Sequence, residues 1–359
     1  MATALGLARR GLGRVWPNPS VGCVLVREGR IVGRGWTQAS GRPHGEAGAL
    51  AQAGAAARGA SAYITLEPCA HSGETPPCAD ALIGAGIRRA VVALEDPDPR
   101  VDGKGLKRLR EAGVEVALGC GAEEAAEINA GFLSRIRRAR PLVTLKLAST
   151  LDGRIATHRG ESQWITGEAA RALAHRLRAE NDAVMIGIGT ALADDPRLTC
   201  RLPGLEARSP VRVVLDARLR LPVMGRLVST AREVATWIVT LDDVARERER
   251  PYRRKGVEVI RVPADAMGDP DAAETLKALG ARGLTRVLVE GGSVLAAALL
   301  GARLVDRIAW FRAPSIIGGD GIPATVAFGV EKLSDMPRFR RASIAALGPD
   351  LLESYREQS

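Results

Sequence analysis

The sequence predicts an α/β protein of two domains, and three observations support this prediction. The chain has 359 residues, enough for about two domains of the usual size of roughly 150 residues. Apolar and charged residues make up 46% and 26% of it, the balance of a chain that can bury a core. Short strand-type segments alternate with helix-type segments along the chain, which is typical of a sheet covered by helices on both faces.

The first 140 residues contain five segments of each type. Two of the strand-type segments flank Glu28-Gly29, a dipeptide that favours a hairpin turn. The predicted strands are Val21–Arg27, Arg30–Gly35, Ala62–Leu66, Arg89–Leu94 and Val114–Leu118. The predicted helices are Ala4–Arg10, Glu46–Ala53, Cys78–Gly84, Leu106–Ala112 and Glu123–Arg138.

Pro141 interrupts this series, and a new apolar run starts directly after it. We therefore expect one domain at 1–140 and a second at 141–359. The second repeats the same alternation. Its predicted strands are Leu142–Leu147, Ala183–Ile188, Val211–Leu215, Val234–Val239, Val257–Val262, Val287–Glu290 and Arg307–Phe311. Its predicted helices are Ala169–Arg178, Asp271–Leu279 and Val294–Leu300.

Charge and composition argue against a nucleic-acid or membrane partner. The net charge is +10, but each of the two predicted domains carries half of the excess, with no basic tail or stripe. Aromatic residues are only 3%, so few rings can stack on bases. No apolar run reaches the ~18–20 residues of a membrane span, and no signal peptide is apparent. Five cysteines are too few for a disulfide framework, which predicts a cytoplasmic protein.

His44, Cys69 and Cys78 form the strongest chemical pattern in the sequence. A catalytic zinc ion has three protein ligands and keeps a fourth position open for water. Glu46 can lie beside that position and move a proton from the water to a departing amine. Histidine, spacer, glutamate, Pro-Cys and a second cysteine is the signature of zinc-dependent base deaminases. We therefore expect one Zn2+ per chain, with Glu46 as the catalytic residue.

A structural zinc site, or two buried thiols, is the alternative explanation of this pattern. A closed structural site uses a fourth protein ligand and has no need of Glu46, so the catalytic interpretation is favoured. Eight residues separate the two cysteines, where common deaminases have two. A polar loop of this length beside the metal suits recognition of a particular substrate.

The second domain has no clear dinucleotide-binding motif. Gly187-Ile188-Gly189 begins the G-x-G-x-x-G pattern, but Leu192 stands where the third glycine is needed. Gly292 and Ser293 follow a predicted strand and precede a predicted helix, so their amides can face a phosphate group. An ordinary glycine turn with Ser293 as the helix cap fits this spacing equally well.

Eight segments carry a further pattern. In the first domain they are Pro17–Gly22, Pro43–Glu46, Thr65–His71 and Thr75–Cys78. In the second they are Leu151–Ala156, Ser162–Thr166, Leu192–Thr199 and Val289–Gly292. Together they resemble the family of bifunctional riboflavin-biosynthesis deaminase/reductases, and they stand in the order found in that family. The eight-residue spacing of the cysteines is itself a feature of this family. Two departures are Gly45, where alanine is usual, and Thr150, where serine is usual.

The resemblance implies an N-terminal cytidine-deaminase-like three-layer domain and a C-terminal dihydrofolate-reductase-like domain that uses NADPH. The first would deaminate a diaminopyrimidinone ribosylamino phosphate, and the second would reduce its ribosyl group to ribityl. The cofactor contacts implied are Ala148, Trp164, Thr190, Asp194, Gly292, Ser293, Val294, Leu295, Ala296, Ala297 and Ala298. The substrate contacts implied are Asn18, His71, Ser162, Arg178, Leu198, Arg201 and Glu290.

Arginine suits this substrate because Arg178 and Arg201 can each fork a phosphate, while Glu290 can accept from sugar hydroxyls. Lys146, isolated in an apolar strand, either points into this site or lies at its edge. We expect small-molecule pyrimidine ribosyl phosphates as partners, and a homo-oligomer. The competing hypothesis is a deaminase of tRNA or free nucleobases joined to an unrelated α/β domain.

Overall fold

The computed structural model describes residues 1–71 and 76–358, which form two compact units. The first unit is Met1–Ala139, and the second begins at Arg140. No helix in the described ranges is long and apolar enough to cross a membrane.

The first unit contains five strands and six helices in its described residues. The strands are β1 Gly22–Arg27, β2 Arg30–Trp36, β3 Ser61–Ile64, β4 Arg89–Val92 and β5 Glu115–Leu118. The helices are α1 Ala2–Ala8, α2 Gly45–Ala53, α3 Cys78–Gly84, α4 Lys104–Glu111, α5 Ala122–Ile128 and α6 Ala130–Arg138.

These strands form one sheet in the order β2-β1-β3-β4-β5. Strand β1 is antiparallel to β2 and β3, while β3, β4 and β5 are parallel. Successive side chains of a strand point to opposite faces. Val24 packs with α1, whereas Cys23 and Leu25 belong to the core that α2, α3 and α4 share. The unit therefore has helices on both faces of its sheet.

The second unit contains eleven strands and six helices in its described residues. Its first six strands are β6 Leu142–Ser149, β7 Arg154–Ala156, β8 Ala183–Gly187, β9 Val211–Leu215, β10 Thr236–Leu241 and β11 Glu258–Val262. The others are β12 Arg286–Glu290, β13 Arg307–Arg312, β14 Ile322–Pro323, β15 Phe339–Leu347 and β16 Asp350–Glu357. The helices are α7 Glu168–Glu180, α8 Ile188–Asp194, α9 Arg226–Ser229, α10 Arg250–Arg254, α11 Ala272–Ala281 and α12 Ser293–Gly301.

Nine of these strands form one sheet in the order β11-β10-β9-β8-β12-β6-β13-β16-β15. The strands from β11 to β13 are parallel, and β16 and β15 add to the sheet as an antiparallel edge. The central strands β8, β9 and β12 are almost entirely buried, which explains why they are mostly apolar; the interior of β9 also carries the buried Arg212. The carboxyl ends of β6, β8, β9 and β12 therefore lie along one edge of the sheet, where ligands bind in open parallel sheets.

The structure corrects the single helix expected at 123–138. It contains two helices, α5 and α6, separated at Asn129. The Asn129 side chain accepts a hydrogen bond from the Ser20 amide at 2.8 Å and donates one to the Ser20 carbonyl at 3.2 Å. Asn129, with φ −95° and ψ 11°, thus joins the two helices and ties them to the segment before β1.

Candidate active sites

The donor atoms of His44, Cys69 and Cys78 meet in the first unit, all within 4.8 Å of one another. His44 precedes α2, Cys69 follows β3, and Cys78 begins α3. His44 Nδ1 lies 3.3 Å from the Sγ of Cys78 and 3.7 Å from that of Cys69. Usual Zn–N and Zn–S bonds in a tetrahedron separate such atoms by about 3.6 Å. The three residues therefore fit a zinc ion.

Close packing of α2 on the hairpin places His44. A Cβ on Gly35 would lie 2.0 Å from the Gly45 carbonyl oxygen, and one on Gly45 would lie 2.9 Å from the Val21 carbonyl oxygen. Side chains at either position would push the helix away from β1 and β2. Glycine at position 45 thus permits a close contact in this chain, and α2 is helical from that residue.

Glu46 is 3% exposed, and its Oε2 has no hydrogen-bond partner in residues 1–71 and 76–358. Burial raises the pKa of Glu46 to about 7. The hydrogen bond with Cys78 lowers the pKa of Cys69 to about 4, and zinc binds cysteine in the thiolate form. The first turn of α2 therefore holds a carboxyl group beside the donor set.

Sequence reasoning missed Glu67, which organises the loop beside the donor set. Its Oε1 accepts hydrogen bonds from the amides of Gly105 and Leu106 at 2.8 and 3.1 Å. Its Oε2 accepts from Gly103 and Asp96 at 3.0 and 3.2 Å. The available signal was an acidic residue directly before Pro68-Cys69, at the end of a buried strand.

Asn18 and His71 lie in loops of the first unit. The Asn18 amide lies against Gly41, where a Cβ would approach its Nδ2 to 1.8 Å. His71 Nδ1 is buried without a hydrogen-bond partner in the described chain, and His71 is outside the metal-donor group found there. Arg100, and to a smaller extent His71, lowers the pKa of Asp98. Of the eight-residue loop between the cysteines, expected to recognise substrate, positions 72–75 lie outside the described residues.

The second unit contains a cavity of about 940 Å3 at the carboxyl ends of its parallel strands. Every cofactor contact implied by the family resemblance lines it. The implied substrate contacts that line it are Ser162, Arg178, Leu198 and Glu290. Lys146 lines it as well, so the structure places this lysine in the site.

Arg178 and Glu290 form a mostly buried pair at the floor of the cavity. Arg178 Nε donates to Glu290 Oε1 at 2.5 Å, and Nη2 donates to Oε2 at 2.8 Å. Burial raises the pKa of Glu290, but the charge and hydrogen bonds of Arg178 outweigh it and lower that pKa overall. Lys146 stands beside Glu290 on the neighbouring strand, and burial lowers its pKa. The Nε and Nη2 donors of Arg178 are therefore both occupied by the Glu290 carboxylate.

Arg201 lies beside this pair but does not line the cavity. Its amide donates to His175 Nδ1 at 3.3 Å, and Arg178 Nη1 donates to the neighbouring Thr199 carbonyl at 3.0 Å. Burial and the charge of Arg178 lower the pKa of Arg201. His175 is half-buried and connects α7 to the segment that carries Leu198 and Arg201.

Two glycines before α12 form the part of the cavity expected to face a phosphate. Gly291 and Gly292 have φ values of 78° and 83°, which favour glycine. A Cβ on Gly292 would lie 3.1 Å from Thr190 Oγ1. Amides in the first turn of a helix have no intrahelical acceptor and can donate to an anion.

Comparison with known proteins gives a matching family model for each of the two units. Residues 141–352 match the RibD C-terminal domain, and residues 1–94 match the cytidine and deoxycytidylate deaminase zinc-binding region. The riboflavin biosynthesis protein RibD of Escherichia coli is 42% identical over 98% of this chain and 96% of its own length. The chain belongs to the RibD family. The RibD of Aquifex aeolicus is 41% identical, with the same coverage of both chains.

Solved RibD structures share the whole fold. A RibD structure from Acinetobacter baumannii has a TM-score of 0.88 at 36% identity, covering 99% of this chain and 97% of its own. A Thermotoga maritima diaminohydroxyphosphoribosylaminopyrimidine deaminase/5-amino-6-(5-phosphoribosylamino)uracil reductase has a TM-score of 0.86 at 36% identity, covering 100% and 97%. The predicted fold class is confirmed, with a cytidine-deaminase-like N-terminal domain and a RibD reductase C-terminal domain.

As a RibD, this chain is a bifunctional enzyme of riboflavin biosynthesis, a zinc-dependent deaminase and an NADPH-dependent reductase. The competing hypothesis of a tRNA or nucleobase deaminase with an unrelated second domain is not favoured, because RibD relatives match both halves.

Proposed function

We propose that 2,5-diamino-6-ribosylamino-4(3H)-pyrimidinone 5′-phosphate is deaminated at the His44, Cys69, Cys78 and Glu46 site. We further propose that the ribosyl group of the product is reduced to ribityl with NADPH in the cavity of the second unit. The observation that carries this proposal is a zinc-compatible donor set beside a buried, unpartnered carboxyl oxygen. The substrate class is supported by the name of the Thermotoga maritima relative.

His44, Cys69 and Cys78 would hold the metal of the deaminase. Zn2+ with three protein ligands supplies a Lewis acid with one open position, where it lowers the pKa of a water molecule. The three residues come from two helix starts and one strand end, so the core fixes their relative positions. The amide of Cys78 also donates to Cys69 Sγ at 3.3 Å, which orients that thiolate.

Glu46 would serve as the acid and base of deamination. Its buried Oε2 has no protein partner in the described chain, so it is available to a substrate or a water. Glu46 takes a proton from the attacking water as the C–O bond forms. It then gives a proton to the amino group, and ammonia leaves as the C–N bond breaks. Asn18 and His71 would hold the pyrimidine and its substituent in place.

Ser162, Arg178, Leu198, Arg201 and Glu290 would bind the sugar phosphate of the reductase substrate. Because the fork of Arg178 already pairs with Glu290, Arg201 is the residue free to take the phosphate. Its guanidinium has no protein partner in the described parts of the chain. Arg178 would then hold Glu290 as a carboxylate that accepts from sugar hydroxyls, with Lys146 beside it.

The cofactor would bind across the rest of the cavity, and NADPH supplies the hydride for the sugar. Gly292 and Ser293 would donate amide hydrogens to its diphosphate, and α12 would continue this contact through Val294, Leu295, Ala296, Ala297 and Ala298. Ala148, Trp164, Thr190 and Asp194 would complete the contacts. Exposed Trp164, with the Arg171 guanidinium 4.8 Å from its ring, offers a flat face at the mouth.

We also propose a cytoplasmic homo-oligomer whose partners are small pyrimidine ribosyl phosphates. All five cysteines are free thiols, which suits a reducing compartment. The edge strand β15 supports an oligomer, because the seven residues between Phe339 and Leu347 are exposed. Exposed edges pair readily with another chain.

The proposed reactions can be tested directly on the purified chain. We expect incubation with the diaminopyrimidinone phosphate alone to give a product in which oxygen replaces one amino group. With NADPH, the product should also gain two hydrogen atoms. Mass spectrometry identifies both, and an unchanged substrate, or reduction without prior deamination, would contradict the proposal.

A further inference from the structure

The cavity of the second unit carries different charges at its two ends. At the β6 and β12 end, Lys146 and Arg178 lie beside Glu290. At the β9 end, Arg220 lines the wall together with Leu215, the last residue of β9. Arg171, a further cation of the described lining, stacks on Trp164 and donates to the Thr166 carbonyl. Arg220 is therefore a separate cationic position.

The strand order places Arg220 at the far end of a bound dinucleotide. The proposed substrate residues follow β6 and β12, and β8 and β9 come next in the sheet. Strands lie about 4.8 Å apart, so β6 and β9 are separated by about 14 Å. The proposed diphosphate site at Gly292 follows β12, which lies between β6 and β9 in the sheet. An extended dinucleotide with its nicotinamide at the substrate would thus place its adenosine near β9.

Arg220 is arranged to meet an anion at this end. Its side chain is 53% exposed, and its Nε lies 3.6 Å from Oδ1 of Asp216, which is completely buried. The other oxygen of Asp216 accepts from the Leu221 amide at 2.8 Å. In many NAD-binding sites a carboxylate accepts from the ribose 2′-hydroxyl. Here the Asp216 carboxylate is completely buried and cannot contact a ligand in the cavity. The Arg220 guanidinium lines the cavity in its place.

Two acidic residues, one half-buried and one exposed, make Arg220 decisive for charge at this end. Asp265 and Asp269 also line the cavity. Asp265 Oδ1 accepts from the amides of Met267 and Asp269 at 2.8 and 3.0 Å, so it serves its own turn. Without Arg220, a phosphate bound near these carboxylates would meet their negative charge with no adjacent cation of the described lining to offset it.

We propose that Arg220 binds the 2′-phosphate of NADPH and thereby makes the reductase prefer NADPH to NADH. This inference rests on the proposed function of the cavity. Asp216 is a positioning residue that holds Arg220 toward the ligand. Guanidinium–phosphate pairs are charge-assisted and can be bidentate, which suits discrimination by one phosphate group.

Calorimetric titration of the full chain tests this proposal without turnover. The probes are NADPH, NADH, adenosine 2′,5′-bisphosphate and adenosine 5′-monophosphate. We expect Arg220→Ala to weaken the binding of NADPH and of the bisphosphate about 10- to 100-fold, the usual effect of losing a charged hydrogen-bonded pair. Binding of NADH and the monophosphate should change less than about two-fold on the same scale. Arg220→Lys should keep part of the preference.

Arg218→Ala is the matched control, because Arg218 is in the same loop, outside the cavity lining, and pairs with Asp243 at 2.8 Å. It should leave all four affinities unchanged. Equal weakening of NADPH and NADH in Arg220→Ala, or an unchanged preference, would overturn the assignment. A parent protein that binds neither dinucleotide would overturn the proposed function together with it.

Discussion

Cys78 combines two roles at the scale of single residues. Its thiol completes the donor set, and its amide orients the Cys69 thiolate. Serine at this position would keep the amide and the helix start but replace the thiolate with a hydroxyl, which is a weak zinc ligand at neutral pH.

We predict that Cys78→Ser loses most of its zinc after dialysis, measured by elemental analysis against one zinc per parent chain. The exposed Cys120, changed to serine, is the matched control and should keep its zinc. A Cys78→Ser protein that retained the parent zinc content would remove Cys78 from the ligand set.

The metal donors were predictable at this scale because their residue types and spacing are restricted by the chemistry of zinc. Arg178 was not predictable in the same way. Its residue type suggested a phosphate ligand, but the structure pairs this residue of α7 with Glu290, 112 positions away at the end of β12. Glu67 was missed for a similar reason, since the amides that it holds lie far along the chain, at the start of α4 and in the segment before it.

At the scale of elements, the strands buried on both faces were predictable, whereas the exposed edge strand β15 was not. The apolar runs of β8, β9 and β12 reflect burial on both faces. Strands β15 and β16 were not predicted, because β15 is exposed along most of its length and shows no alternation. Strand β15 forms instead because its backbone pairs antiparallel with β16 at the edge of the sheet.

The edge strand β15 leads to a prediction about assembly. Residues 342–347 carry no charge or proline, although natural edge strands usually do. We therefore expect the parent chain to be a dimer or larger by light scattering, and Ile344→Lys, at an exposed position of β15, to lower that mass. Leu333→Lys, at an exposed apolar site outside the strand, is the control. A monomeric parent, or an Ile344→Lys variant of unchanged mass, would contradict this prediction.

At the scale of the whole molecule, each unit carries its own chemistry. The zinc donors and Glu46 belong to the first unit, and the cavity is lined by residues of the second. The sequence indicated a zinc deaminase joined to an α/β partner, whereas substrate and cofactor came from the family resemblance. Residue types do not specify a pyrimidine or a dinucleotide. The choice of NADPH depends on a spatial order of strands that cannot be read along the chain.

The central claim is that one chain performs two reactions at two independent sites. Glu46→Gln preserves shape and hydrogen bonding but removes the group that moves protons. Its deamination rate should fall about 10²- to 10⁴-fold, while zinc stays bound. Arg201→Ala, in the second unit, is the reciprocal variant, and it should release ammonia normally and accumulate the deaminated intermediate.

The most direct measurement supplies Glu46→Gln with the already deaminated intermediate and follows the oxidation of NADPH by absorbance. Independent sites predict a rate close to that of the parent enzyme, because no residue of the cavity has changed. Loss of this reduction in Glu46→Gln would contradict the claim of two independent sites.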